Sequence, residues 1–339
     1  MKKRNIFFCT IALLFLLPLS AAFADGTEAS SAAEILRNGN AENTYSAFTV
    51  LLKSTGILKE SDPEPDYIKD SILDNHYLYK FSYNGIKHTE NSYKSDRISI
   101  EIRNIVFQRS TCYVADIYVR DILNFQTAFS SGAFRGKRRK PLQTALDRNA
   151  ILALTGDMYT MNAKGCIIRN GVLYEENRGL TQKMDLCVLY KDGTMCTYRK
   201  GEVSLETIPD RDQIWQLWVF GPVLLYDGEM TTDFNAKDSI ADRNPRACIG
   251  YYEPGHYCFV AVDGRSKTSR GLDLNDLSAF MQEINCAEAY NLDGGASSAM
   301  IFNDDIYSEP AKGGRTMTDI LLITEDTNLP AVEIRNDDV

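Results

Sequence analysis

Between Ser95 and Thr324 the chain is cut into short apolar stretches by turn signals, at Asn170-Gly171, Asp192-Gly193, Asp227-Gly228, Pro254-Gly255 and Asp263-Gly264. This spacing leaves room for strands and for little else. Ile98, Ile100 and Ile102 alternate with polar residues, and Tyr113, Ala115, Ile117 and Val119 repeat at the same period of two, which puts each set on one face of a strand. One segment departs from the pattern. After Asp273, the residues Leu274, Leu277, Phe280, Met281 and Ile284 recur at helical spacing, with Asp273 or Asn275 suited to the N-cap. A weaker helix is expected between Lys140 and Asn149. Many strands and few helices make this an α+β chain, with a single mixed, strand-rich domain expected over residues 95–325 and a tail over 326–339.

The beginning of the chain has another character. Lys2, Lys3 and Arg4 precede the uncharged run Ile6 to Leu19, and small residues follow up to Ala22-Phe23-Ala24. A positive start, a short apolar middle and an A-x-A site describe a secretory signal over residues 1–24, cleaved after Ala24. Retention as an uncleaved anchor is the alternative, since Asn5 to Ala24 could nearly span a bilayer. No stable membrane insertion is expected otherwise, and the mature chain is expected outside the cell or in its envelope. Residues 25–94 read as a polar extension or linker, broken at Asp62-Pro63-Glu64-Pro65, to which the sequence assigns no fold.

Composition narrows the partners. Acidic residues outnumber basic ones by 46 to 37, for a net charge of -9, so a general affinity for nucleic-acid phosphates or anionic bilayers is not expected. Any phosphate must be held by a few local donors. Three histidines, scattered at 76, 88 and 256, do not suggest a metal centre. No cofactor is expected, and a metal requirement is left open. Besides Cys9 there are seven cysteines, without a C-x-x-C, mostly in apolar strand-like runs that suit small buried hydrophobes. A two-residue turn at Asp192-Gly193 would put Cys187 and Cys196 diagonally on one face, near the limit for a bridge.

The segment richest in chemistry is Ala287 to Ser298, AEAYNLDGGASS. Apolar residues lead to Asn291 and Asp293. Gly294 and Gly295 then permit positive φ and close backbone approach, so that successive N–H groups can face an anion, with Ser297 and Ser298 as further donors. Taken alone, the segment is equally a tight Asp-Gly turn in which Asp293 caps its own backbone. Asp157 ends an apolar run, Gly221 sits in the stiff turn Phe220-Gly221-Pro222, Arg246 precedes a strand, and Asp263 and Arg265 end one. An isolated Asp or Arg at such a place is commonly a solvated cap. Together they would offer carboxylates, which glycosyl transfer uses in pairs, and guanidinium forks, which fit phosphate or sugar hydroxyls. Trp215 and Trp218, beside the Gly221 turn, could stack on a sugar but suit the core better.

In order, the chain carries ALTGDMY (153 to 159), IRNG (168 to 171), FGPVL (220 to 224), NPRACIG (244 to 250), VDGR (262 to 265), SRGLDLNDL (269 to 277) and NLDGGASS (291 to 298). This ordered set resembles the phosphodiester glycosidase domain, a family whose bacterial members are associated with exopolysaccharide biosynthesis. Arg315 and Asp319 match its late stretch loosely. Thr155, Ala247 and Ala296 stand where the family pattern has Asn, Thr and Gly, which puts substrate identity in question. The resemblance implies a hydrolase that releases a sugar from a sugar-1-phosphodiester or phosphoglycan. It further implies Arg246, Arg265 and Gly294-Gly295 on the phosphate, Asp293 as nucleophile or base, and Asp157 or Asp263 orienting the sugar or water. Asn291, Gly221, Ser297 and Ser298 complete the expected substrate-binding set. Attack at phosphorus, with a metal, is the competing chemistry. A non-catalytic binder of phosphoglycans is the competing function.

Overall fold

The computed structural model describes Leu73, residues 75–162, 166–175, 183–234 and 236–329, and the pair Glu333–Ile334. The expected signal, the first part of the expected linker and most of the tail lie outside the described residues.

Three antiparallel sheets organise the described chain. The largest has nine strands in the spatial order Lys87–His88, Ser92–Lys94, Ile98–Phe107, Ser110–Val119, His256–Val262, Arg246–Glu253, Glu288–Asn291, Val223–Tyr226 and Glu229–Met230. Its first two strands lie before Ser95, within the stretch to which the sequence assigned no fold. A second sheet orders Met195–Tyr198, Leu186–Tyr190, Ile214–Trp218, Ile167–Arg169 and Val172–Glu175. The third orders Asp305–Ile306, Met300–Phe302, Leu152–Thr155, Asp319–Ile323 and Phe125–Phe129.

Alternation decides which face each sheet buries. Ile98, Ile100 and Ile102 are fully buried, and they pair with Val119, Ile117 and Ala115 across the long hairpin. This face of the large sheet, with Phe259, Ile249 and Tyr290, packs on Leu152, Leu154, Leu321 and Ile323 of the third sheet and on Cys187, Leu189 and Trp218 of the second. The opposite face presents Val114, Cys248, Val260 and Val262 to the helix Leu274–Glu283, which covers it with Leu277, Phe280 and Met281. Asp273 starts that helix by accepting the Asp276 N–H at 2.9 Å, as its spacing suggested. Each fully buried side chain on its inner face contributes about 1.5–3 kcal/mol. The shorter helix Pro141–Asp147 caps the outer face of the third sheet through Ala145.

One expectation changes. The turn after Leu186–Tyr190 is one residue longer than expected, with Tyr190 facing Thr194, so Cys187 pairs with Thr197 and Cys196 with Val188. A single-residue change of register turns Cys196 to the other face, and no bridge to Cys187 is within reach. All seven cysteines from Cys112 to Cys286 are buried thiols. The indoles of Trp215 and Trp218 are core, 4% and 0% exposed, and Trp215 Nε1 donates to the Phe125 carbonyl.

Candidate functional site

The loop after Glu288–Asn291 joins two sheets. Leu292 N–H donates to Ala247 O (2.8 Å) and Gly295 N–H to Pro245 O (2.8 Å), both on the large sheet's side. Between them Asp293 N–H donates to Gly156 O (3.2 Å), just past the strand Leu152–Thr155 of the third sheet. The two glycines have different uses. A Cβ on Gly294 would lie 2.6 Å from Pro245 O, so close approach requires its absence, whereas Gly295 adopts φ +65°. The Gly295 N–H, expected to face an anion, is spent on Pro245. Ala296 is not at positive φ, so its backbone does not call for glycine. Thr155, in place of the family's Asn, staples the turn: its Oγ1 donates to Ser297 O at 2.6 Å and accepts the Ala299 N–H at 3.1 Å.

Beneath this loop lies a closed ion cluster. Arg169, at the end of Ile167–Arg169, is fully buried and gives Nη2 to Asp157 Oδ1 (2.8 Å) and Asp319 Oδ2 (3.1 Å). Its Nη1 is held by the carbonyls of Ile168 and Leu217. Asp157 Oδ2 accepts the Val219 N–H at 3.1 Å. One cation serves two carboxylates, so the cluster carries excess negative charge. Burial, and then the charge of Asp157, push Asp319 up to about 7 against the pull of Arg169.

Asp293 is placed differently. It is 8% exposed, and its Oδ2 has no hydrogen-bond partner among the described residues. Arg315 Nη2 stands 3.7 Å from that oxygen. The same guanidinium donates Nε and Nη2 to Ser297 Oγ, at 2.9 and 2.7 Å. Burial raises the Asp293 carboxyl above the usual carboxylate range. The Ser297 hydroxyl and Arg315 pull it back, Asp157 adds to the rise, and Arg138 opposes it.

The other expected residues surround this centre unevenly. Arg265 lies against Gly295, its Nη2 3.3 Å from where a Cβ there would stand, and it donates to Asn244 Oδ1 at 2.6 Å. Asn291 gives Nδ2 to the Gly221 carbonyl (2.8 Å), while its buried Oδ1 has no partner among the described residues. Gly221 is thereby a support for Asn291. Ser298 is turned away, with Oγ donating to Arg246 O at 2.5 Å. Arg246, expected on the phosphate, gives Nε to Leu272 O (2.7 Å) and Nη2 to Asp242 O (2.5 Å), and burial lowers it to about 10. Its guanidinium locks the approach to the strand. Asp263 spends both carboxylate oxygens, on Tyr113 Oη (2.7 Å) and Glu309 N–H (3.0 Å). The structure thus gathers Asp157 and Asp293 around Gly156, and Arg265 against Gly295, while Arg246 and Asp263 serve the scaffold. Arg169, Asp319 and Arg315 were outside the expected site. A guanidinium ending the apolar run Cys166-Ile167-Ile168 was the available signal for the first. Among the described residues, no three His, Cys, Asp or Glu side chains are grouped to hold a metal ion.

The family model for phosphodiester glycosidase matches residues 148–324, which include every member of the two carboxylate clusters and Arg315. The chain belongs to that family. Similar proteins include the SPbeta prophage-derived YomE of Bacillus subtilis, 29% identical over 213 residues, 58% of this chain and 32% of that protein. The mouse N-acetylglucosamine-1-phosphodiester alpha-N-acetylglucosaminidase is 24% identical over 198 residues, 53% of this chain and 37% of its own length. The chain therefore matches about a third of the length of these relatives. The zebrafish enzyme's catalytic domain shares the fold, with a TM-score of 0.52 and 22% identity over 71% of this chain and 87% of that one. The two carboxylate clusters of this chain lie within the matched residues, at the ends of Leu152–Thr155 and Ile167–Arg169, at the start of Asp319–Ile323 and in the loop after Glu288–Asn291.

Proposed function

We propose that this phosphodiester glycosidase is an exported hydrolase that removes the sugar from a sugar-1-phosphodiester of an extracellular or envelope phosphoglycan. The observation that carries this reading is Asp293 Oδ2, buried, without a hydrogen-bond partner among the described residues and 3.7 Å from a guanidinium. A carboxylate oxygen kept free of hydrogen bonds keeps its charge for an oxocarbenium-like carbon. The departing phosphomonoester is a weak base, with its second pKa near ~6, so the C–O bond can break without a proton donor. What the leaving group needs is a cation, and Arg315 and Arg265 flank the turn from Asp293 to Ser297. Asn291 Oδ1 and Asp293 Oδ2, both buried acceptors without donors among the described residues, suit the hydroxyls of a sugar. Asp157, with both oxygens engaged, holds the floor. Water supplies the hydroxyl that ends on the anomeric carbon, and its proton leaves with the phosphomonoester. Export rests on Lys2-Lys3-Arg4, the apolar run behind them and the A-x-A site.

Turnover of a synthetic sugar-1-phosphodiester in ¹⁸O-water tests the chemistry. Label in the sugar is expected. Label in the phosphate means attack at phosphorus and overturns the role given to Asp293.

A further inference from the structure

Arg315 has a second neighbour besides Asp293. With Ser297 it closes one side of a cavity of about 210 Å³, whose remaining wall includes Leu142, Ile301, Ile306 and Pro310. Apart from Arg315 Nη1, which the reading above leaves to the phosphate, the side-chain polar groups on this wall are already engaged. Arg315 Nε and Nη2 donate to Ser297 Oγ, and Lys140 Nζ, at the rim, donates to the carbonyls of Gly313 (2.8 Å) and Gly314 (2.6 Å). A sugar placed there would find few free partners for its hydroxyls and would leave them buried and unpaired. A hydrocarbon would lose nothing. An apolar cavity of about 150 Å³ takes up benzene, so this one has room for a group of that size or somewhat larger.

A phosphodiester has two arms. On the reading above, the sugar arm lies with Asp293 and Asn291 and the phosphate lies at Arg315, which leaves the second arm on the far side of that guanidinium. We propose that the cavity beside Arg315 binds this second arm and selects sugar-1-phosphodiesters whose other alcohol is an alkyl or lipid-like chain. Ile306 is 42% exposed at the rim, on the short strand Asp305–Ile306, so a longer chain can leave past it into solvent. This inference rests on the proposed hydrolase reading for the position of the phosphate, and its test separates the two.

The test uses the full chain and the methyl, butyl, hexyl and octyl diesters of N-acetylglucosamine-1-phosphate, each below its micellar concentration. Beyond the first carbons the chain no longer alters the leaving phosphate, so length reports on binding alone. The specificity constant kcat/KM is expected to rise roughly three- to fourfold per methylene that enters the cavity and then to level off. Ile306→Asn is expected to flatten that rise while hydrolysing the methyl diester as the parent chain does, with an unchanged thermal melt. A methyl diester hydrolysed as fast as the hexyl diester overturns the cavity assignment and leaves the hydrolase reading standing. Calorimetric titration with the same four diesters gives an independent reading. If none is hydrolysed yet affinity climbs with chain length, and falls back in Ile306→Asn, the cavity stands and the hydrolase reading fails. Affinity independent of chain length overturns the cavity whatever the turnover.

Discussion

Arg169 and Arg315 face carboxylates a few residues apart in space, yet they are used in opposite ways. Arg169 is wholly enclosed, and two carboxylates and two carbonyls share its N–H donors. Nothing in that cluster is left for a ligand. Arg315 is half exposed, leans on one serine hydroxyl and stands 3.7 Å from an oxygen with no hydrogen bond among the described residues. Enclosure costs desolvation that only complete pairing offsets, whereas an incomplete pair at the surface can be completed by substrate. Closed and open clusters built from the same residue types are therefore suited to different uses, the first to scaffold and the second to the site proposed above. The backbone bond from Asp293 to Gly156 keeps them in register.

The largest effect should come from breaking the closed cluster. Arg169→Leu leaves Asp157 and Asp319 buried without their cation, and a loss of about 3–5 kcal/mol of folding stability is expected in urea titrations. A loss under ~1 kcal/mol would mean that the cluster is hydrated and the contrast with Arg315 is false. The open cluster should answer in rate instead. Asp293→Asn is expected to lower kcat/KM by a factor of ~10² to 10³. Its unfolding midpoint at neutral pH should be unchanged or higher, because a buried carboxyl whose pKa is raised costs stability when ionised. Near-normal turnover in this variant would remove Asp293 from the chemistry.

Arg315→Ala sharpens the same comparison with a smaller change. If Asp293 acts as the anion, kcat/KM climbs with pH as that carboxyl loses its proton, and the limb lies above the usual carboxylate value of ~3.9. Arg315 is among the groups that hold the Asp293 pKa down. Removing it should move the limb upward, because a cation that favours the ionised carboxyl is gone. It should also lower the plateau by roughly tenfold or more through lost contact with the phosphate. A limb that stays in place in pH–rate profiles would separate Arg315 from Asp293.

The parts legible in the sequence are those with a local period or a local cap. Alternation at Ile98, Ile100 and Ile102 gave the strand and its buried face, and Asp273 gave the start of the helix Leu274–Glu283. Register was less accessible, because one added turn residue between Tyr190 and Thr194 moves Cys196 to the other face without altering either strand's pattern. The glycine pair and Asp293 stood out through chemistry that only a few residue types supply. Arg169 did not, since its partners Asp157 and Asp319 lie 12 and 150 positions away and meet it only through the pairing of two sheets. Arg246 misled for the converse reason. A guanidinium beside a proposed phosphate site also fits three backbone carbonyls, and Ala241, Asp242 and Leu272 supply them.

The smallest effect lies within the closed cluster and bears on why its enclosure is tolerable. Asp319 is raised to about 7 in the folded chain by burial and by Asp157, against ~3.9 for an exposed carboxyl. The folded state therefore holds this proton more tightly than the unfolded chain does. That contribution to stability is complete below pH ~3.9 and is lost as pH rises toward 7. Asn in its place cannot ionise, yet its amide oxygen can still accept from Arg169, and Arg169 keeps Asp157 as partner. Asp319→Asn should thus gain on the parent chain as pH rises from 6 to 7.5, by on the order of 1 kcal/mol in the difference between their urea stabilities. Parallel pH profiles for the two chains would mean that Asp319 stays ionised across this range, and that Arg169 alone balances both carboxylates.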